Sequence, residues 1–125
     1  MAAKDELGRR GEDLAVRYLT DHGLVVLDRN WRCRDGEIDV VGTEPITEGG
    51  RRARLVVAEI KTRSGTRYGE PAEAVDGRKA QRIRRVTKAW LATHQVPWVE
   101  IRFDVVAVLM RPGRPVTLQH YRAAF

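Results

Sequence analysis

The segment Glu59-Ile60-Lys61 places an acid and an amine in a pattern that could do chemistry. Side chains alternate across a β-strand, so Glu59 and Lys61 would point to one face and Ile60 to the other. Glu59 follows the apolar run 55–58, which puts a carboxylate at the end of a strand buried on both faces. A charge is costly there unless it is paired or bound to a metal ion.

A second carboxylate, Asp39, interrupts an otherwise apolar strand at 37–42. If this strand pairs with strand 54–62 as a hairpin, Asp39 and Glu59 lie side by side on one face. Two carboxylates that close repel each other unless a cation lies between them. Oxygen ligands without a suitable His or Cys favour Mg²⁺ or Mn²⁺. A simple ion pair between Asp39 and Lys61 is the alternative that these residues leave open.

Glu12 is the third acidic candidate, at the edge of the apolar stripe of a predicted helix over 4–22. From there it could complete a metal shell, directly or through water. Gly8 and Gly11 are poor helix residues, and a close approach of the helix to another backbone or to a ligand would explain them. An ordinary exposed glutamate beside an arginine is the alternative for Glu12. Glu37 is a weaker candidate for the face of Asp39.

The elements that must position these residues follow from apolar periodicity and turn residues. They are predicted as helix 4–22, strands 24–27, 37–42 and 54–62, helix 78–94, and strands 99–110 and 116–121. A basic turn at 29–36 and irregular segments at 43–53 and 64–77 separate them. The order αβββαββ predicts an α/β fold in which helices flank a mixed sheet. The 125 residues suffice for one domain spanning 1–125.

Charge and cysteine content limit the partners and the compartment. The net charge is +6, and 19 of the 23 basic residues are Arg, which favours a polyanion, nucleic acid first. An Arg-rich genome with a solvated surface would give the same composition. The single cysteine, Cys33, excludes an internal disulfide and a Cys-based zinc site, and it predicts a reducing, cytoplasmic location. No apolar run approaches the ~18 residues of a membrane span, so no membrane partner is expected.

Basic residues near the predicted site could contact phosphates. Helix 78–94 has an apolar stripe on one side and a basic one on the other, which suits either a solvated back or a phosphate track. Lys79 lies on the apolar side in the first turn, where it could point toward the active site or extend past the helix end. Other arginines lie close to aromatic residues in loops. The predicted nucleic-acid-binding residues are Arg32, Arg63, Arg67, Lys79 and Arg82.

Taken in order, these motifs resemble those of the YraN family of small bacterial proteins. The matching segments are Gly11-Glu12, Gly36-Glu37-Ile38-Asp39, Glu59-Ile60-Lys61-Thr62-Arg63, Arg102-Phe103-Asp104 and the terminal Ala124-Phe125. The likeness spans nearly the whole chain. That family is similar in turn to archaeal-type Holliday junction resolvases and to the wider restriction-endonuclease-like nucleases. The resemblance implies a restriction-endonuclease-like core.

The resemblance also implies a chemistry, because the superfamily pattern Glu…Asp…Glu-x-Lys holds divalent metal and cleaves phosphodiesters. It implies that Glu12, Asp39 and Glu59 hold Mg²⁺ or Mn²⁺ and that Lys61 positions or activates the reacting groups, so all four would be catalytic. The substrate would be nucleic acid, DNA rather than RNA, with branched DNA among the candidates. A homodimer would supply one active site for each of two strands. The alternative is an accessory nucleic-acid-binding protein with weak or no activity, and a protein-interaction domain ranks below both.

Overall fold

The computed structural model describes residues 3–46, 52–65, 75–97 and 100–125. The elements follow the predicted order αβββαββ. They are helix α1 (Ala3–Asp21), strands β1 (Val25–Cys33), β2 (Gly36–Pro45) and β3 (Ala53–Arg63), helix α2 (Gly77–Thr93), and strands β4 (Ile101–Leu109) and β5 (Thr117–Tyr121). The α/β prediction is therefore confirmed.

The five strands form one mixed sheet in the order β1-β2-β3-β4-β5. Neighbouring strands are antiparallel except β3 and β4, which are parallel. A parallel pair needs a long crossover connection, and α2 lies in it. Because β3 and β4 each have a neighbouring strand on both sides, they are interior strands, and the segments 55–58 and 105–108 are buried throughout. This confirms the prediction of strands that are apolar on both faces, and β5 lies at an edge as predicted.

The sheet separates two apolar clusters, each covered by one helix. The cluster under α1 contains Ala15, Leu19, Leu24, Val40, Val56, Ala58, Val106, Val108 and Met110. The cluster under α2 contains Ile38, Val41, Leu55, Val57, Ile83, Val86 and Trp90. Burial of each large aliphatic side chain contributes roughly 1.5–3 kcal/mol, so these clusters fix both helices on the sheet. Neither described helix is long and apolar enough to cross a membrane.

Gly11 lets α1 approach β3 closely. A Cβ atom at this position would lie 2.1 Å from the Oγ1 atom of Thr62, far inside van der Waals contact. The predicted close approach is thus confirmed for Gly11. For Gly8 the prediction of a close approach to another part of the chain is wrong, because a Cβ atom there would meet nothing within 4 Å.

β1 is longer than the sequence predicts, and of the predicted basic turn over 29–36 only Arg34 and Asp35 form a turn. The strand continues to Cys33, which pairs with Gly36 across the two-residue turn that follows. The alternation of apolar residues is lost because the register shifts between Val26 and Asp28 and because Asn30 adopts a positive φ of 51°. Such a bulge changes which side chains face the core, so the period-two pattern breaks.

The predicted irregular segment 43–53 is shorter than expected. β2 runs to Pro45 and β3 begins at Ala53, and these two residues pair. The rest of the segment includes 47–51, which lie outside the described residues.

Asp104 lies at the centre of a buried polar network on β4. Its side chain is fully buried and accepts two hydrogen bonds of 2.8 Å from the guanidinium of Arg102, which confirms the predicted pair with an arginine. Nε2 of His120 lies 2.8 Å from the same carboxylate, and the N–H of Ala123 donates to it at 3.0 Å. Burial alone would raise the pKa of Asp104. The bonds from Arg102, His120 and Ala123 outweigh it and hold the pKa at about 2. The network ties β5 and the C-terminal residues to the sheet.

This lowered pKa predicts a specific acid sensitivity. A carboxylate whose pKa falls on folding stabilises the protein above its unfolded value, ~3.9, and loses that contribution as the pH falls through the folded value. We expect Asp104→Asn to lower the free energy of unfolding at pH 7 by about 2 kcal/mol and to flatten its dependence on pH between 4 and 2. Urea unfolding across this range measures both. The exposed Glu100, changed to Gln, is the control, and parallel pH profiles for wild type and Asp104→Asn would contradict the prediction.

Candidate active site

Asp39 lies where β2 and β3 stop pairing. The paired residues end with Val40 opposite Ala58. At Asp39, the residue before Val40 in β2, the side-chain atom Oδ2 accepts a hydrogen bond of 2.8 Å from the backbone N–H of Ile60. The carboxylate thus takes the place of a strand carbonyl and fixes the point at which the two strands separate.

Glu59 is held between two lysines at this point. It is only 9% exposed. Nζ of Lys61 lies 3.5 Å and Nζ of Lys79 lies 2.9 Å from its Oε1 atom. The predicted shared face of Glu59 and Lys61 agrees with this contact. The alternative ion pair of Lys61 with Asp39 is absent from the described part of the chain, because Lys61 pairs with Glu59 instead.

Lys79 reaches the site from the first turn of α2. Asp76 is the N-cap of this helix, and its side chain accepts a hydrogen bond of 2.9 Å from the backbone N–H of Lys79. The cap sets where the helix begins and therefore which residue of the first turn faces the sheet. Of the two positions considered for Lys79 from the sequence, the structure shows the one directed at the site.

The electrostatics of the site move an acid and a base toward their neutral forms. Burial, followed by the nearby charge of Glu59, raises the pKa of Asp39 to about 7. Burial and then the proximity of Lys79 lower the pKa of Lys61. Burial also acts to lower the pKa of Lys79, but bonds to Lys61 and Glu59 outweigh it and raise this pKa. Perturbations of this kind are typical of functional sites.

Glu12 and Asp39 line the same groove. Its carboxylate accepts hydrogen bonds from Nδ2 of Asn30 at 2.6 Å and from Nη2 of Arg29 at 3.2 Å. The groove has a volume of about 560 Å³ and is also lined by Thr62. Glu12 still contributes to the raised pKa of Asp39 through its charge. Within the described ranges, no three Asp, Glu, His or Cys side chains gather closely enough to bind one ion, so the structure does not bring all three predicted carboxylates together.

The predicted nucleic-acid-binding residues occupy different surroundings. Arg32 lines the groove, and its Nε lies 2.6 Å from Oε2 of Glu37. Arg63 ends β3 and is partly buried, and Arg82 is exposed on α2. Arg67 lies outside the described residues. Lys79 contacts Glu59 and therefore belongs to the acidic cluster more than to an outer binding surface.

Sequence reasoning missed Asn30, which positions Glu12. The side chain of Asn30 reaches Glu12 because the bulged strand β1 turns it toward α1. Asn is among the few non-glycine residues that tolerate a positive φ. An Asn among charged residues after an apolar strand was therefore the available signal.

The fold and the site together define a class of protein. Two helices flank a mixed sheet, and Asp39 and Glu59-Ile60-Lys61 meet where two strands separate, as in a restriction-endonuclease-like domain. The chain belongs to the uncharacterised protein family UPF0102, the YraN family, which matches it over residues 11–108. The resemblance inferred from the motifs is confirmed.

Several relatives named UPF0102 proteins align over almost the full chain. The sequence is 54% identical over 125 residues to a UPF0102 protein of Frankia alni, covering 100% of this chain and 98% of the relative. It is 53% identical over 125 residues to one of Frankia casuarinae, covering 100% of both. A UPF0102 protein of Nocardia farcinica is 47% identical over 122 residues, covering 98% of this chain and 91% of the relative. The similarity therefore includes every element that forms the site.

The raised pKa of Asp39 predicts that this residue destabilises the fold at alkaline pH. A carboxyl group whose pKa rises on folding carries a penalty that is absent below its unfolded value, ~3.9, and complete above the folded value. We expect Asp39→Asn, which retains an acceptor for the N–H of Ile60, to be more stable than wild type by roughly 4 kcal/mol at pH 8.5 without divalent cations, but by only about 1.5 kcal/mol at pH 5. Urea unfolding at both pH values measures the difference. Glu37→Gln serves as the matched control on the same strand, and a pH-independent difference would contradict the prediction.

Proposed function

We propose that this protein is a metal-dependent phosphodiesterase that hydrolyses nucleic acid, DNA rather than RNA, in the cytoplasm. The observation that carries the proposal is the pair of carboxyl groups of Asp39 and Glu59, which influence each other strongly in a partly buried position with two ammonium groups beside them. A protein that only binds nucleic acid has no need for clustered acids, since these repel phosphate.

The residues present fit a divalent ion of the Mg²⁺ or Mn²⁺ type. Asp39 and Glu59 supply hard oxygen donors, and the charge between them is of the kind that a cation relieves. Mg²⁺ is commonly bound by one or two carboxylates, with water and substrate phosphate completing its shell. Two close carboxylates therefore suffice, and Glu12 would act through water from the groove that it shares with Asp39. When bound, such an ion lowers the pKa of coordinated water and offsets negative charge on the phosphate.

The side chains of this chain divide the remaining work. Lys79 holds Glu59 from α2, which keeps its carboxylate at the end of β3. The backbone N–H of Ile60 holds the Asp39 carboxylate in the same way from β3. Lys61, whose pKa is lowered by burial, orients the attacking water or stabilises charge developing on the phosphate.

Metal binding can be tested apart from catalysis. We expect calorimetric titration with Mn²⁺ to show binding to wild type and to Glu37→Gln, and none to Asp39→Asn. The reason is that Asp39 supplies one of the two close carboxylates, whereas Glu37 is engaged with Arg32. Equal binding by Asp39→Asn and wild type would show that any ion is held elsewhere.

Cleavage is the decisive test. We expect Mg²⁺- or Mn²⁺-dependent cleavage in a screen of duplex, single-stranded, flap and four-way DNA. Loss of one charge-stabilising group typically reduces the rate on the order of 10²–10³-fold, and we expect this for Lys61→Met. Asp39→Asn should be at least as impaired.

Controls separate loss of chemistry from loss of fold. Glu37→Gln should cleave like wild type, and circular dichroism should show that all variants are folded. Equal cleavage by Lys61→Met and wild type would refute the proposed mechanism. Binding of nucleic acid without cleavage of any substrate would favour the accessory binding protein instead.

A further inference from the structure

Helix α2 has an unusual charge content. It contains six basic residues and no acidic residue between Gly77 and Thr93. Lys79 is directed at Glu59, while the other five are exposed. These five are Arg78, Arg82, Arg84, Arg85 and Lys88. None of them forms an ion pair with a carboxylate in the part of the chain that the structure describes. Cations elsewhere, such as Arg29 and Arg102, are paired.

Four of the five cations form a line along the outer face of α2. Arg84 lies apart, with its guanidinium 5.1 Å from the ring centre of Phe103. We call the remaining four the basic stripe: Arg78, Arg82, Arg85 and Lys88. At a rise of ~1.5 Å per residue, the stripe is roughly 15 Å long. That length spans several successive phosphates of one strand of a duplex.

The basic stripe begins beside the candidate active site. Arg78 precedes Lys79, whose side chain contacts Glu59. A Cβ atom at Gly36 would lie 3.1 Å from Cδ of Arg82, so the stem of this arginine lies over the β1–β2 turn. From there the stripe leads away from the site in one direction. A nucleic-acid backbone bound along the basic stripe would be held on one side of the candidate site, with one of its phosphates near Glu59.

The surroundings favour a duplex over a single strand. Proteins that bind single strands stack bases on accessible aromatic rings. Helix α2, which carries the basic stripe, is described in full and offers no such ring, because its one aromatic residue, Trp90, is buried. A row of exposed cations along a rigid helix instead suits phosphates held at regular spacing.

We propose that the basic stripe binds the phosphate backbone of a double-stranded nucleic acid, contacting successive phosphates on one side of the bond to be cleaved. The identity of the ligand rests on the proposed function. The stripe itself rests on the charge and geometry of α2 and needs no catalysis.

Helix α1 offers a matched control. Arg10 and Arg17 are exposed and separated by seven residues, as are Arg78 and Arg85. They too form no ion pair with a carboxylate among the residues that the structure describes. However, α1 carries five acidic and four basic residues, so its surface lacks the excess of positive charge found on α2. The double variants Arg78→Gln/Arg85→Gln and Arg10→Gln/Arg17→Gln lower the net charge equally.

The experiment measures duplex DNA affinity by fluorescence anisotropy in EDTA, between ~50 and ~200 mM salt, where cation–phosphate contacts appear as the slope of log K against log salt. Each duplex phosphate contact contributes ~0.9 to that slope. We expect the α2 double variant to reduce the slope by about two and the affinity about ten-fold, and the α1 double variant to change both very little. Circular dichroism verifies that both variants are folded.

Several outcomes would overturn the inference. Equal effects of the two double variants would mean that only net charge matters. Tighter binding of a single strand than of the duplex would exclude the proposed ligand. Loss of binding to phosphatidylserine vesicles without loss of duplex binding would assign the stripe to a membrane surface. Binding is measured in EDTA, which prevents metal-dependent cleavage, so the two proposals can fail separately. Stripe-dependent binding in EDTA, together with no cleavage in the separate assays with Mg²⁺ or Mn²⁺, would refute the proposed function and leave this inference standing.

Discussion

The bond from the N–H of Ile60 to the carboxylate of Asp39 determines the geometry of the site. It ends the pairing of β2 with β3 and attaches a side chain of one strand to the backbone of the other. Glu59 and Lys61 flank Ile60, so their positions relative to Asp39 are fixed by the same bond. A buried carboxylate pair would otherwise be costly, and the raised pKa of Asp39 expresses that cost. The carboxylate that fixes the two strands is therefore also a group whose ionised form the fold disfavours.

The topology then brings both helices to this end of the sheet. β3 and β4 are parallel, so the chain must cross over between them, and the first turn of α2 returns to the end of β3. Lys79 reaches Glu59 from that turn. On the opposite face, contact of Gly11 with Thr62 places the first half of α1 over the same end of β3. Glu12 lines the groove for this reason.

The sequence was sufficient where burial alone dictates structure. The run 55–58 can only be an interior strand, and Glu59 and Lys61 share a face because alternation continues past it. The sequence was insufficient at β1, where the register shift and the positive φ of Asn30 break the period on which such reasoning depends. The bonds that hold Glu12 to Arg29 and Asn30 follow from that bulge, which the sequence signals through Asn30 alone. The contact of Lys79 with Glu59 joins residues twenty positions apart, and only tertiary packing decides between it and a lysine extended into solvent.

The two charged clusters of this protein differ in a way that separates structure from chemistry. In the network of β4, hydrogen bonding to Asp104 raises the pKa of Arg102, and the pKa of Asp104 is held at about 2, so both groups stay ionised. That is the behaviour of a stabilising ion pair. At the candidate active site the shifts of Asp39 and Lys61 are opposite in sign, because burial disfavours the charged form of each. Such an arrangement stabilises the fold poorly near neutral pH, and perturbations of this kind are more typical of groups placed for chemistry than of groups placed for stability.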